Sequence, residues 1–368
     1  MIDRAHLVPI TRVRHERVFL AFVNEEEMNR RNFLRGIMNA ACGVVALGTV
    51  MTVAACSTTG GTAAPTMQLN WVYDFAAAGP VLAEVDKYFA KTGAGDVQLQ
   101  PGGSNIAPDP IVASGKALVG VSSPEVTAAA NKGGANLKIV AATLQSNPYT
   151  VLSLAGDPIR RPQDLVGKTI AVEPTAMTPW RGFLAVNGID PESVKTVPPN
   201  YDLSLLTTGK VDGYLAFVTN DEVTLKTKGV DYVSMPFDKN GYPSVGETIM
   251  VDESSLTSRR DEVKKLIHAV ILGWQAAAAD PSGTASVIVD HYGESLGLTL
   301  DDQTAKLQAM APLIIVPGTT NRVLQVTPDR ASATVESLRK AGVPVDVDGL
   351  FDLSIVDEIY AENPEIAQ

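Results

Sequence analysis

Only two of the 368 residues are cysteine, Cys42 and Cys56, too few for a disulfide framework or a cysteine zinc site. Histidine is nearly as scarce. His6, His15, His268 and His291 show no metal-ligand spacing, so no metal site is expected. Basic residues are outnumbered, 30 Lys+Arg against 41 Asp+Glu, giving a net charge of −11. Nucleic acid is therefore not a partner, since phosphate binding draws on clustered Lys and Arg. Gly102-Gly103 lacks the glycine spacing of a dinucleotide fingerprint, and no cofactor is expected. What remains is 45% hydrophobic and 19% charged, which excludes a disordered chain and suffices for one or two cores.

The N-terminal stretch reads as an address. Arg30-Arg31-Asn32-Phe33-Leu34-Arg35 is followed by an apolar run from Ile37 to Ala55 and then Cys56. A basic segment, an apolar segment and small residues before a cut describe an export signal. The arginine pair resembles a twin-arginine signal, with Asn29 in place of the usual Ser or Thr. Val53-Ala54-Ala55-Cys56 resembles a bacterial lipobox, in which Cys56 carries the lipid. A signal complete from Met28 makes Met28 the expected start, and residues 1–55 are read as extension plus signal. Residues 56–66, rich in Ser, Thr, Gly, Ala and Pro, suit a flexible tether. Removing residues 1–55 leaves 23 basic and 36 acidic residues, a net of −13. Such a body has no polybasic attraction to a membrane, so attachment would rest on the lipid alone.

Beyond the tether, short apolar runs alternate with helical patterns, which indicates an α/β fold with largely parallel sheets. Strands are expected at Met67–Val72, Val97–Gln100, Leu118–Val121 and Leu137–Leu144, with helices between them. A second set begins near Pro158 and runs through strands at Ile170–Val172, Val194–Val197, Val211–Phe217 and Tyr232–Met235. The chain then returns through Thr248–Val251, and long helices such as Arg260–Ala279 close it. This order predicts two lobes, 67–155 with 249–368 and an inserted 156–248. Two crossings would act as hinges, near Thr150–Ala155 and Thr248–Val251, with a ligand cleft between the lobes.

Several stretches, in order, resemble one known family. Leu69-Asn70-Trp71, with Ala78-Gly79 and Ala83, is similar to its opening motif; Pro101-Gly102-Gly103 follows the second strand. Asp164-Leu165-Val166-Gly167-Lys168-Thr169, Gly209-Lys210-Val211-Asp212-Gly213 and Gly273-Trp274 match later motifs. The family comprises solute-binding proteins of bacterial ABC importers for thiamine's hydroxymethylpyrimidine precursor and for riboflavin, together with fungal pyrimidine synthases. The resemblance implies a two-lobed periplasmic-binding-protein-like fold of type II, a small-molecule ligand, and an ABC permease and ATPase as partners. Three positions depart from the pattern: Tyr73 replaces Pro, Asp74 replaces Asn, and Ala77 replaces His. The fungal enzymes need that His and a Cys-rich motif, so no enzymatic activity is expected.

Candidate ligand residues follow from position. Trp71 and Tyr73, at the end of the first strand, would stack on a heteroaromatic ring, and Trp180 would close over its other face. Trp274 lies in an apolar helical pattern and reads as core. Ser122 and Ser123 precede a helix at Pro124, as caps or donors. Gln145, Thr175, Met177, Phe217 and Asn220 lie at strand ends or the loops after them. Asp74 or Glu222 would pair with an amino group. Arg181 is the only basic residue near these positions, which weighs against small hard anions. The expectation is a monomeric, lipid-anchored, extracytoplasmic binding protein for a heteroaromatic vitamin or precursor. The alternatives are a binder of alkanesulfonate, taurine or nitrate and, more remotely, a synthase-like enzyme.

Overall fold

The computed structural model describes residues 64–199 and 202–367. The expected signal, Cys56 and most of the tether lie outside the described residues. Among the described residues, no helix is long and apolar enough to cross a membrane.

Two five-stranded sheets organise the unit Thr62–Gln368. The first contains β1 (Thr66–Gln68), β2 (Gln98–Gln100), β3 (Val119–Ser122), β4 (Leu137–Leu144) and β10 (Gly246–Asp252), in the order β2-β1-β3-β10-β4. The second contains β5 (Tyr149–Leu154), β6 (Thr169–Ala171), β7 (Lys195–Val197), β8 (Gly213–Phe217) and β9 (Tyr232–Pro236), in the order β7-β6-β8-β5-β9. The sheets are mixed rather than largely parallel. β10 runs antiparallel to both β3 and β4, and β5 runs antiparallel to both β8 and β9. The reason is topological: each strand adjoining a crossing enters its sheet from the far lobe and must run against its neighbours.

The same pairing shifts the lobe boundaries from those expected. Tyr149–Leu154 is the inner strand of the second sheet, so the crossings are Gln145–Pro148 and Tyr242–Val245 rather than segments near 150–155 and 248–251. The two crossings are strapped together. Asn147 Nδ2 donates to Tyr242 O at 3.2 Å and to Ser244 Oγ at 3.0 Å. A Cβ on Gly246 would lie 2.6 Å from Pro148 Cδ, so only glycine lets the crossings lie this close. Helix Pro328–Lys340 braces the second crossing: Ser337 Oγ donates to Pro243 O at 2.6 Å, and Thr334 Oγ1 accepts from Val245 N at 3.1 Å.

Both faces of each sheet are covered by apolar side chains. The largest core lies around helix Arg260–Ala279, whose buried stripe includes Leu266, Ile267, Val270 and Trp274. Helix Ala78–Val85 lies against it at unusually close range. A Cβ on Gly273 would sit 2.0 Å from Gly79 O, and one on Gly79 would sit 2.4 Å from the Trp274 ring. The Ala78-Gly79 and Gly273-Trp274 motifs, nearly two hundred residues apart in sequence, are therefore two sides of one contact. Trp274 is core, as its helical pattern predicts.

That contact generates a prediction. Gly273→Ala should destabilise the protein by about 1–3 kcal/mol, the usual cost of overpacking. Gly156→Ala, where a Cβ meets nothing within 4 Å, should stay within about 0.5 kcal/mol of wild type. Chemical denaturation of both variants reads the difference, and equal midpoints would disprove the close-packing account.

Candidate functional site

A cavity of about 430 Å³ lies between the lobes, at the carboxyl ends of β1, β3, β6 and β8. That is the position where open α/β sheets take ligands, because side chains and helix N-termini converge there. The first lobe contributes Asn70, Trp71, Asp74 and Phe75 from the loop after β1, and Ser122, Ser123 and Glu125 from the joint between β3 and helix Pro124–Lys132. The second lobe contributes Glu173 and Thr175 after β6, and Tyr214, Phe217, Asn220 and Asp221 along β8 and beyond it. Asn147, Tyr149, Ser244 and Glu247 line the cavity from the crossings and the strands that follow them.

Two backbone bonds help to fix the loop after β1. Gly102 N donates to Trp71 O at 2.7 Å and Gly103 N to Asn70 O at 3.2 Å. A Cβ at Gly102 would fall 2.2 Å from the Asn70 carbonyl carbon, which explains the glycine in Pro101-Gly102-Gly103. Trp71 is thereby held against the cavity. Across it, Tyr149 and Phe217 meet edge to face, with centroids 4.6 Å apart at 90°.

Seven of the expected residues line the cavity together: Trp71, Asp74, Ser122, Ser123, Thr175, Phe217 and Asn220. At least three of these are already engaged, Asp74 Oδ1 accepting from Ala76 N at 3.0 Å. Ser122 Oγ donates to Asp109 at 2.6 Å, and Ser123 Oγ accepts from Val126 N at 3.4 Å as a helix cap. Asn220 does not cap the following helix; the Asp221 carboxylate instead accepts from Phe217 N at 2.9 Å.

Five expected residues lie elsewhere. The chain leaves β1 at Gln68, so Tyr73 does not share a strand face with Trp71. Its hydroxyl donates to Leu99 O at 2.8 Å and its ring stacks on Tyr292 at 4.5 Å. Trp180 is 1% exposed and packs with Phe183 and Phe237 in the second lobe's core, because it sits on the inner face of helix Met177–Val186. Met177 packs on the same core. Gln145 is buried, its Nε2 donating to Ala142 O at 3.2 Å. Glu222 turns toward β9, accepting from Ser234 Oγ at 2.8 Å and Tyr232 OH at 3.3 Å.

The sequence reading named Asp74 but missed the other carboxylates of the cavity. Asp74, Glu125, Glu173, Asp221 and Glu247 all line the cavity, and among the described residues the lining includes no Lys, Arg, His or Cys. Burial lifts Asp74 and Asp221 from 3.8 to about 6, against the opposing pull of backbone N–H groups and of Lys306. Glu247, 8% exposed, is lifted from 4.5 to about 8 by burial and then by the charge of Asp74, while the Asn70 amide opposes the shift. Burial also raises Glu125. Glu247 further adopts φ 47°, a left-handed conformation that costs a side-chain-bearing residue about 1–2 kcal/mol. No group of His, Cys, Asp and Glu that could hold a metal ion occurs among the described residues.

Comparison with known proteins follows this geometry. The NMT1/THI5-like family model matches residues 74–284, more than half of the chain. No curated protein sequence matches. Among solved structures, the ligand-binding component of an ABC-type import system from Staphylococcus aureus is 12% identical, with a TM-score of 0.58 over 80% of this chain and 99% of that one. The alkanesulfonate-binding protein SsuA from Xanthomonas axonopodis pv. citri, bound to MOPS, is 14% identical, with a TM-score of 0.57 over 79% and 96%. The desulfurization enzyme DSZB is 13% identical, with a TM-score of 0.51 over 81% and 99%. At such identities the likeness is one of fold: the periplasmic-binding-protein fold, as the order of elements predicts.

The buried carboxyl of Glu247 has a measurable consequence. A carboxyl whose pKa is higher folded than unfolded binds more protons in the folded state. Its contribution is full below about pH 4.5 and is lost as pH rises toward 8. Glu247→Gln should therefore be more stable than wild type at pH 8, by about 2–4 kcal/mol, and the gain should vanish near pH 4. Thermal melts of the unliganded protein across that range read it. Parallel pH profiles for the two proteins would refute the assignment.

Proposed function

The chain belongs to the NMT1/THI5-like family, and on that premise we propose that it is the extracytoplasmic solute-binding component of an ABC importer. It captures a small heteroaromatic nutrient of the hydroxymethylpyrimidine, thiamine or riboflavin type and presents it to a permease driven by an ATPase. The observation that carries this reading is the interlobe cavity of about 430 Å³, walled by Trp71 and Phe75 on one lobe and by Tyr149 and Phe217 on the other. Rigid rings on both sides hold a flat ligand at low entropic cost, and a few polar groups then fix its orientation. Closure of the lobes about the strapped crossings expels water from the ligand.

The protein binds without catalysis. Among the described residues the lining offers no cysteine, histidine or lysine, and Ala77 stands where the resemblance places the synthases' histidine. Alkanesulfonate, taurine and nitrate remain the second ligand class, since a sulfonate-binding protein shares the fold. The lining argues against them, because its described residues supply no guanidinium or ammonium to meet a hard anion. Export through the signal at Arg30-Arg31, a lipid on Cys56 and a monomeric state complete the reading.

A thermal-shift panel on the full chain tests it with hydroxymethylpyrimidine, thiamine, riboflavin, taurine, methanesulfonate and nitrate. A true ligand at about 100 times its Kd stabilises by about 2.7 kcal/mol. A shift with a heteroaromatic compound is expected; a shift only with the sulfonates or nitrate would replace this reading with the anion one. Trp71→Ala should then weaken the heteroaromatic ligand by about 1–3 kcal/mol while leaving unliganded melting nearly unchanged.

A further inference from the structure

Asp109 is a buried acid that stands behind the cavity lining rather than in it. It lies in the first turn of helix Pro108–Ala113 and is 1% exposed. Each of its carboxylate oxygens accepts one hydroxyl. Thr127 Oγ1 donates to Oδ1 at 2.8 Å, and Ser122 Oγ donates to Oδ2 at 2.6 Å. Ser122 ends β3 and Thr127 lies in the helix Pro124–Lys132 that follows, so Asp109 ties the two sides of one strand-to-helix joint. Burial pushes its carboxyl up from the usual range, while the two hydroxyls and its own backbone N–H pull it back toward the ionised form.

The consequence falls on Ser122. Its backbone is fixed in the middle of the first sheet, where it pairs with Thr248 of β10 and its carbonyl accepts from Thr248 Oγ1 at 3.3 Å. A serine hydroxyl has one proton and two lone pairs. With the proton committed to Asp109, Ser122 Oγ turns only lone pairs to the cavity that it lines. Its polar neighbours are spent differently. Ser123 Oγ accepts from Val126 N as a cap and meets the Glu125 carboxyl. Asn147 gives its amide protons to Tyr242 O and Ser244 Oγ. Ser122 is therefore a fixed acceptor, set by a side chain that the ligand does not touch.

Resting on the ligand-binding reading above, we propose that Asp109 is a positioning residue for ligand selection: it holds Ser122 as a hydrogen-bond acceptor, so the bound ring must present an N–H there, as an amino substituent does and an oxo substituent does not. A carbonyl oxygen at that point sets lone pair against lone pair. Rotating the hydroxyl does not relieve the clash, because it would strip a donor from the buried Asp109 carboxylate. A site built to pair one polar group rejects a near-isostere far more strongly than an apolar pocket does. Within the ligand class proposed above, this favours aminopyrimidines over riboflavin, whose pyrimidine edge carries carbonyls.

Twins of one pyrimidine test the proposal by calorimetric titration of the full chain near neutral pH. The probes are hydroxymethylpyrimidine with its amino group, the same ring with oxo in that place, and the same ring with methyl. The amino twin should bind at least about tenfold more tightly than the oxo twin, with the methyl twin between them. In Ser122→Ala that ratio should fall to within about threefold of unity. Asp109→Ala, checked for a native melt, should lower the ratio likewise, through affinity lost by the amino twin while the oxo twin holds or gains. A merely structural role would weaken both twins alike. Because Asp109 acts through Ser122, the double variant should match Ser122→Ala. Where Asp109→Ala does not fold, the Ser122→Ala ratio decides. Equal binding of the amino and oxo twins, or an amino preference that survives Ser122→Ala, would overturn the assignment and leave the heteroaromatic reading standing. So would a preference for the oxo twin, which requires Asp109 to donate to Ser122, or binding of riboflavin without any pyrimidine. Binding of methanesulfonate or nitrate alone, or of no probe at all, would overturn both.

Discussion

The return strand β10 is the constraint on which the rest of the molecule depends. It enters the first sheet between β3 and β4 and pairs antiparallel with both, from Gly246–Leu144 at one end to Asp252–Leu137 at the other. A strand inserted in the middle of a sheet fixes its register by hydrogen bonds on both edges, and a one-residue slip would turn its buried face outward. That register sets where the second crossing leaves the lobe, and hence its contact with the first crossing through Asn147, Ser244 and Gly246. It also sets Glu247 at the rim of the cavity. The left-handed backbone there is held by the β10 pairings on either side, from Gly246 and from Thr248 onward. A strained residue persists only where its surroundings determine it, and here they do so beside the ligand cavity.

Crowded carboxylates work against stability. Each buried acid loses hydration, and the wall of the cavity concentrates several of them where hydrophobic residues of similar volume would pack more favourably. Raised proton affinity at Asp74, Asp221 and Glu247 is the local record of that cost. Such destabilising arrangements gather at binding sites, where they become favourable only when a complementary group arrives. Asp74, which caps the short helix after it, and Asp221, which holds the end of β8 through Phe217 N, serve both ends at once. They satisfy backbone donors in the folded chain and present the same charge to a ligand.

The α/β class, the two-lobe order and the placement of many elements were legible in the sequence. Pro124–Lys132, Leu137–Leu144 and Arg260–Ala279 coincide with the observed elements because each has strong local punctuation and a clean apolar period. Trp71, Phe217 and Asn220 were legible as strand-end residues. Trp180 was misjudged because its place at a helix start was weighed above its spacing to Phe183, which puts both rings on the buried face. Tyr73 failed for a different reason: a strand rule was extended past the point where the strand ends. Apart from Asp74, the cavity's carboxylates were invisible singly, since an isolated Asp or Glu reads as solvated surface. A signal was nonetheless present. Glu125, Glu173 and Asp221 each fall at a strand-to-helix joint, the place where a ligand is met, and asking which charges recur at those joints would have exposed an acidic site. Glu247 had no such signal, because its depth comes from strand pairings with distant segments.

Ring placement and hinge together determine how such a device discriminates. A ligand shifts the lobes only by the difference between its affinity for the closed and the open arrangement, however tightly it binds either. Aromatic stacking on Trp71 alone is nearly the same in both arrangements, because that ring belongs to one lobe and is fixed by the Gly102–Gly103 clamp. What differs on closure is the contact that Tyr149 and Phe217, on the other lobe, make with the ligand's second face. A flat ring gains that contact area only in the closed arrangement. The bracing of the second crossing by helix Pro328–Lys340 sharpens the distinction, since lobes held in a narrow hinge approach along one path and bring the same walls together each time. Selectivity then arises in the closing step rather than in first contact with the ligand.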